Sequence, residues 1–274
     1  MARDKYTATW ISHSSIGDFL KCPRLYYLHN VYKDPKTGNK ITTINPALAL
    51  GQTVHQVLEA LSVLPVEKRF EIPLHITYKM IWDSVTGEKG GFKSDVEEME
   101  YFERGTRMLQ RVIDNPGPLL HKAIKIQKEL PYYYLSEVDN IVLCGKVDWL
   151  EYIPETDSVH IIDFKTGKRE EEGNSLQLPI YHLLVKNCQK RHATKASYWY
   201  LETSDSLTEK ELPSLESAEK HLLHIGKQIK LARTEKAFSC RKNGCYYCSP
   251  YEQILAGSAK FVGVGEYKQD LYVI

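Results

Sequence analysis

Asp163 and Lys165 stand two residues apart in the run HIIDFKTGK (160–168), flanked by Ile161, Ile162 and Phe164. An apolar run of this length reads as a buried strand, and side chains two apart on a strand share a face. The carboxylate and the ammonium then emerge together, while Phe164 enters the opposite core. The run GKVDWLEY sets Asp148 in a similar apolar context, three residues after Gly145. The turn-like PETD (154–157) between the two runs predicts a hairpin that would bring Asp148 and Asp163 to neighbouring positions. Two such carboxylates repel unless a cation lies between them. Oxygen ligands with open water positions suit Mg2+ or Mn2+. A lysine beside that ion can orient a water or stabilise charge growing on a phosphate. The alternative is a buried Asp163–Lys165 ion pair that only shapes the fold.

Two further stretches carry polar groups at helical spacing. Gln177 and Tyr181 in QLPIYHLL lie four residues apart, on one helical face, and Pro179 places that face at a helix start. Backbone amides there favour phosphate, whereas the plainer reading is an amphipathic helix with a partly buried Tyr181. GQTVHQVLE holds His55 within a helix expected over about 47–63, with Gly51 allowing a close approach. By itself His55 reads as a surface or core histidine. Glu129, on an expected preceding strand, is a possible supporting acid.

Cysteines mark both ends of the chain: Cys22 in KCPRLYYL, and Cys240, Cys245 and Cys248 in SCRKNGCYYC. A C-x2-C pair lets both sulfurs reach one metal centre. Zinc, or four unconnected thiols, are the alternatives at this point. Cys144 and Cys188 read as small buried residues. Lys21, Arg24, Tyr26 and Tyr27 surround Cys22, and Arg241, Lys242, Tyr246 and Tyr247 surround the C-terminal trio. KNCQKRHATK (186–195) is basic as well. Alternating cations and rings suit single-stranded DNA, although each run alone reads as solvated surface.

The elements that must hold these groups follow from patterning. Residues 11–32 read as a helix capped by Ser14 or Ser15 and bent or restarted at Pro23, followed by a polar loop at 34–40. Residues 66–121 read as mostly helical, with Ser94 capping the clearest segment and NPGP (115–118) ending it. Strands are expected at about 124–135, 141–152 and 159–165. A helix over 176–190, a strand ASYWYLET (196–203) and a helix over 215–234 come next, and the tail reads as short helix or irregular chain. Helices before and after a small mixed sheet place the chain in the α/β or α+β class with a helical N-terminal lobe. The expected organisation is a single domain, 1–274, divided into a helical lobe (1–123), a core (124–234) and a cysteine-rich tail (235–274) packing on the N-terminal region. The 36 basic and 35 acidic residues leave a net charge of +1, so any nucleic-acid footprint must be local. The polar start MARDKYTATW, the lack of a long apolar window and clustered cysteines without a secretion signal fit a soluble cytoplasmic protein with no membrane partner.

Taken in order, glycine-x-x-aspartate, aspartate-x-lysine and glutamine-x-x-x-tyrosine resemble the RecB-like branch of the PD-(D/E)XK nuclease superfamily. GQTVHQVLE resembles the glycine-x-x-x-histidine helix of that branch. The resemblance runs from about 12 to 254, with no diagnostic motif in 64–123. It implies a restriction-endonuclease-like mixed sheet flanked by helices. It also implies that Asp148, Asp163, His55 and the Phe164 carbonyl hold Mg2+ or Mn2+. Lys165 would then serve the attacking water, and Gln177 and Tyr181 would lie by the DNA backbone or orient the other groups. Many relatives carry glutamate where this chain has Asp163. The cysteines resemble the iron–sulfur variety, found in AddB-type helicase–nuclease subunits and the CRISPR adaptation nuclease. There a 4Fe-4S cluster staples the chain ends, and Cys22, Cys240, Cys245 and Cys248 would be its ligands. One departure stands out: the third C-terminal cysteine of those relatives follows the C-x2-C pair, whereas Cys240 precedes it. The implied activity is DNA hydrolysis in repair, recombination or CRISPR adaptation, as an exonuclease on single-stranded ends, with a helicase or integrase partner. The alternatives are a catalytically quiet DNA-binding or assembly module and a zinc-stapled nuclease.

Overall fold

The computed structural model describes residues 5–126, 129–265 and 267–274. In chain order its elements begin with β1 (Thr9–Ile11), α1 (His13–Lys21) and α2 (Pro23–Tyr26), which runs into a π-helical turn at Tyr27–Val31. Then come β2 (Lys40–Thr43), α3 (Pro46–Leu61), α4 (Leu74–Trp82) and α5 (Asp95–Asp114). The middle holds β3 (Tyr132–Ser136), β4 (Ile141–Cys144), β5 (Trp149–Ile153), β6 (Ser158–Lys165) and α6 (Gln177–Cys188). The remainder is β7 (Ala193–Tyr200), β8 (Thr208–Lys210), α7 (Leu215–Glu235), α8 (Ser249–Leu255), β9 (Lys260–Val264) and β10 (Gln269–Val273). This mixed helix-and-strand composition is the expected α/β class.

Contacts divide the chain into two compact units. The first comprises Met1–Asn45, Tyr133–Cys144 and Glu219–Ile274. One of its sheets has the order β1-β4-β3, with β1 parallel to β4; the other has the order β2-β10-β9. Gly226 of α7 faces β1 and β4, where an added Cβ would come within 3.1 Å of Ile141 and 3.2 Å of Ile11. The N-cap of α1 is Ser12, not Ser14 or Ser15. Its extended backbone lets its hydroxyl accept from the Ser15 N–H while the Ser15 hydroxyl accepts from the Ser12 N–H. Pro23 restarts the helix as expected: Cys22 is extended between α1 and α2, and its side chain enters a core of Leu25, Leu28, Ile41, Cys248, Tyr251 and Ile254. The expected loop-and-tail reading missed β2 and the β9–β10 hairpin. β2 has four residues and finds its partner, β10, more than two hundred residues later.

The second unit comprises Pro46–Tyr132 and Gly145–Ala218. Its sheet has the order β5-β6-β7-β8, with β5 antiparallel and β7 parallel to β6. The hairpin around PETD forms, with Trp149 opposite Ile162. The single strand expected over 141–152 does not. It breaks between β4 and β5, because the Gly145 N–H donates to the Pro131 carbonyl instead of continuing a ladder. Ordered strand also begins later than expected at Tyr132; Ala123 makes only an isolated bridge to Glu151, and Gln127 and Lys128 lie outside the described residues. β7 starts at Ala193, three residues ahead of the predicted strand, and ends at Tyr200, where Leu201–Thr203 turn.

One face of this sheet presents Trp149, Ile162, Phe164 and Trp199 to apolar residues of α3, α4 and α5, including Leu50, Leu58, Tyr78 and Leu109. Ser94 caps α5 as predicted, accepting from the Glu97 N–H. Gly105 of α5 is required by close packing: a Cβ there would lie 2.1 Å from the buried Tyr78 hydroxyl. Arg69 is 3 % exposed and donates to the carbonyls of Leu61, Leu119 and His121, tying the end of α3 to the segment after α5. Asp163 and Lys165, of opposite strand parity, emerge on the other face.

Candidate active site

Asp163 is held at the end of β6, fully buried, by the parity that sends Ile162 and Phe164 into the core. Asp148 immediately precedes β5, and its Oδ2 accepts from the Phe164 N–H at 3.1 Å, which locks it to β6. The same oxygen lies 3.1 Å from His55 Nδ1 on α3. Thr166 sits against Gly51, where a Cβ would be 3.2 Å from its hydroxyl, so the glycine allows α3 to approach this end of β6 as expected.

Gln177 opens α6 and reaches back to both charged groups of β6. Its Nε2 donates to Asp163 Oδ1 at 2.6 Å and to the Tyr181 hydroxyl at 3.1 Å, and its Oε1 accepts from Lys165. Lys165 Nζ also lies 2.9 Å from Asp163 Oδ2 and 3.0 Å from Glu171 Oε1. The sequence-derived residues His55, Asp148, Asp163, Lys165, Gln177 and Tyr181 thus share one connected network, with the Phe164 backbone within it.

The electrostatics of this network are those of a site short of positive charge. Burial and the neighbouring Asp148 raise the Asp163 pKa to about 7, against the pull of Lys165 and His55. Burial disfavours a charged His55, yet Asp148, Asp163 and Glu59 outweigh it and lift its pKa above the ordinary histidine value. Lys165 follows the same pattern: burial lowers, and Asp163 and Glu171 raise it beyond compensation. Burial keeps Tyr181 a neutral phenol well above its usual range. Asp163 Oδ2 is buried without a hydrogen bond, because Lys165 approaches it outside hydrogen-bonding angles. Two carboxylates and an imidazole with ligand atoms within 4.8 Å of one another, from Glu59, Asp148 and His55, form a donor set that fits a divalent cation, and the orphaned Asp163 oxygen belongs to the same hydrogen-bonded network.

Sequence reasoning missed Glu59 and Glu171. One ligand atom each from His55, Glu59 and Asp148 lies within 4.8 Å of the others, while Glu59 is paired with Lys146. The signal for Glu59 was its i+4 relation to His55 on α3. Glu129 is exposed and outside any strand, but it lines a cavity of about 380 Å3 together with Glu59, Lys146 and Asp148.

A second candidate centre belongs to the first unit. One sulfur each from Cys22, Cys240, Cys245 and Cys248 lies within 4.8 Å of the others, and Cys245 and Cys248 are 3.6 Å apart. Backbone amides of Gly244 and Lys242 lower the Cys240 pKa to about 6, and the Cys248 amide lowers that of Cys245. Burial raises Cys22, and raises Cys248 to about 12. Four convergent thiols, two of them readily ionised, fit a thiolate-bound metal. A cavity of about 590 Å3 beside them is lined by Phe19, Lys21, Arg241, Lys242, Tyr246 and Tyr247. Cys144 is buried, as expected, whereas Cys188 is half-exposed at the end of α6. Of the basic run 186–195, Arg191 is already paired with Asp157 at 2.6 Å.

Among the described residues no helix is long and apolar enough to cross a membrane. No curated protein matches the chain. A sequence model of the PD-(D/E)XK nuclease superfamily matches residues 10–253, spanning both the network around Asp163 and the four convergent cysteines. The chain belongs to the PD-(D/E)XK nuclease superfamily, and its mixed α/β architecture is consistent with the restriction-endonuclease-like fold.

Proposed function

We propose that the protein is a divalent-metal-dependent deoxyribonuclease of the RecB-like branch, acting as an exonuclease on single-stranded ends. The observation that carries this reading is the convergence of Asp148, Asp163, His55 and Lys165 at one end of β6, with Asp163 Oδ2 left unsatisfied. His55, Asp148, Asp163 and the Phe164 carbonyl would hold Mg2+ or Mn2+, with Glu59 as an added carboxylate. When bound, such an ion polarises a phosphoryl oxygen and lowers the pKa of water. Lys165 supplies the protein's own positive charge, orienting the attacking water and offsetting charge that builds on the phosphate. Gln177 fixes both Asp163 and Lys165, and Tyr181 braces Gln177, so neither charged side chain is free to swing.

The preference for single strands rests on the cavity beside the cysteines, where Tyr246 is 88 % exposed and the Lys21 ammonium lies 5.8 Å from the Tyr247 ring. Rings and cations so placed stack bases and neutralise phosphates. The four cysteines would carry a structural metal centre that ties Cys22 to the tail. The family resemblance favours a 4Fe-4S cluster. Sulfur separations below 4.8 Å favour zinc instead, because a tetrahedral ion with Zn–S bonds of about 2.3 Å sets sulfurs about 3.8 Å apart. The whole chain would work as one nuclease domain in the cytoplasm, alone or with a helicase or integrase partner, in repair, recombination or CRISPR adaptation. Digestion of end-labelled single- and double-stranded DNA with Mn2+, beside iron and zinc analysis, tests this reading. Mononucleotides released first from single strands support it, and binding without cleavage indicates a quiet assembly module instead.

A further inference from the structure

The Lys165 ammonium has three protons to donate. Three oxygens from this chain surround it: Gln177 Oε1, Asp163 Oδ2 at 2.9 Å and Glu171 Oε1 at 3.0 Å. Lys165 is therefore already engaged by two carboxylates and an amide oxygen before any substrate arrives, and a phosphate oxygen approaching Nζ competes with them. They differ in how easily they leave. Asp163 sits on β6 with a side chain 1 % exposed, and Gln177 is fixed by α6 and by its bonds to Asp163 and Tyr181. Glu171 lies on the connection 166–176 between β6 and α6, its side chain is 30 % exposed, and it stands in the acidic run Glu170–Glu172. Its backbone N–H donates to the buried Tyr200 hydroxyl at 3.1 Å, so the carboxylate is presented to Lys165 from an anchored loop.

We propose that Glu171 occupies, on Lys165, the position a substrate phosphate oxygen takes, so that this acidic loop is an internal competitor which nucleic acid must displace. A carboxylate and a phosphodiester both offer an anionic oxygen to an ammonium, which makes the exchange one charge-assisted contact for another. Glu171 is thus a positioning residue acting through Lys165. The inference rests on the nuclease reading of this site.

The test uses the full-length, metal-replete protein and a fluorescein-labelled single-stranded oligonucleotide, with Ca2+ replacing Mn2+ for binding. Glu171→Ala and Glu171→Gln are expected to tighten the Kd about three- to ten-fold, corresponding to about 0.7–1.4 kcal/mol. KM with Mn2+ should fall in parallel, by a larger factor than any change in kcat. In a Lys165→Met background the tightening should vanish, as a shared contact requires. Unchanged or weaker binding in a variant that melts like wild type overturns the proposal. Equal tightening with and without Lys165 does so as well, because it marks a general charge effect of the loop. Cleavage by the wild type reports separately on the nuclease reading: a protein that never cleaves removes that premise, whereas one that cleaves while Glu171→Ala binds like wild type removes only the competitor.

Discussion

The two candidate centres are built in opposite ways. Around Asp163 the functional groups ride on regular elements: Asp163 and Lys165 on β6, Gln177 and Tyr181 on α6, His55 and Glu59 on α3. Hydrogen bonds among the side chains of Asp163, Lys165, Gln177 and Tyr181, and one from the Phe164 N–H to Asp148, hold the network. The cysteines instead sit where helices stop: Cys22 is the break between α1 and α2, and Cys240 and Cys245 lie on the turns before α8. Backbone amides and the apolar core around Cys22 and Cys248 organise that centre. The difference teaches that the first should keep its geometry when single groups are altered, while the second should need its metal to keep order.

The sharpest break in this comparison is chemical. Asp163→Asn or Lys165→Met is expected to lower DNA cleavage about a hundredfold or more, in line with the loss of an electrostatic catalytic group, while the melting temperature stays near that of wild type. Cys248→Ser should do the reverse. It is expected to lose the bound metal and several kcal/mol of stability, read by metal analysis and denaturant unfolding, because thiolate-metal binding is coupled to folding. A cysteine variant that melts like wild type while retaining metal breaks the contrast.

Within the second unit, Arg69→Met leaves the carbonyls of Leu61, Leu119 and His121 without their donor. A loss of about 1–3 kcal/mol in urea unfolding is expected, chiefly from the buried Leu119 carbonyl, because Leu61 still accepts from the Leu64 N–H. Gly105→Ala forces a methyl group onto the Tyr78 hydroxyl, 2.1 Å away, and should cost about 1–3 kcal/mol as overpacking does.

The smallest effect concerns pH. Burial works against an ionised Glu151, but His160 at 2.8 Å and His121 hold its pKa below the ordinary 4.5. A depressed carboxylate contributes stability above its unfolded value and loses it as pH falls through the folded one. The melting-temperature gap between wild type and Glu151→Gln should therefore be full above pH 4.5 and close below it.

The site was legible where its parts lie close in sequence. Asp163 and Lys165 declare a shared strand face, and Gln177 and Tyr181 a shared helical face, because periodicity of two and of 3.6 fixes direction without any knowledge of partners. Asp148 needed only a short hairpin. His55 carried no such signal, and the resemblance alone brought it in. Glu59 was overlooked despite its i+4 relation to His55, and Glu171 could not be found, since a loop has no period to aim a side chain. The strand β2 escaped for a related reason: its partner β10 lies at the far end of the chain, and local patterning does not encode such a pairing. The break between β4 and β5 depends on one hydrogen bond from Gly145 to Pro131, equally invisible in composition.

At the centre of this account is one divalent-ion site shared by His55, Asp148 and Asp163. Mn2+ binding followed by electron paramagnetic resonance, in wild type and in Asp148→Asn, tests it most directly. One tightly bound ion in the wild type, lost in Asp148→Asn without loss of fold, is the predicted result. Equal Mn2+ binding by the two proteins contradicts it.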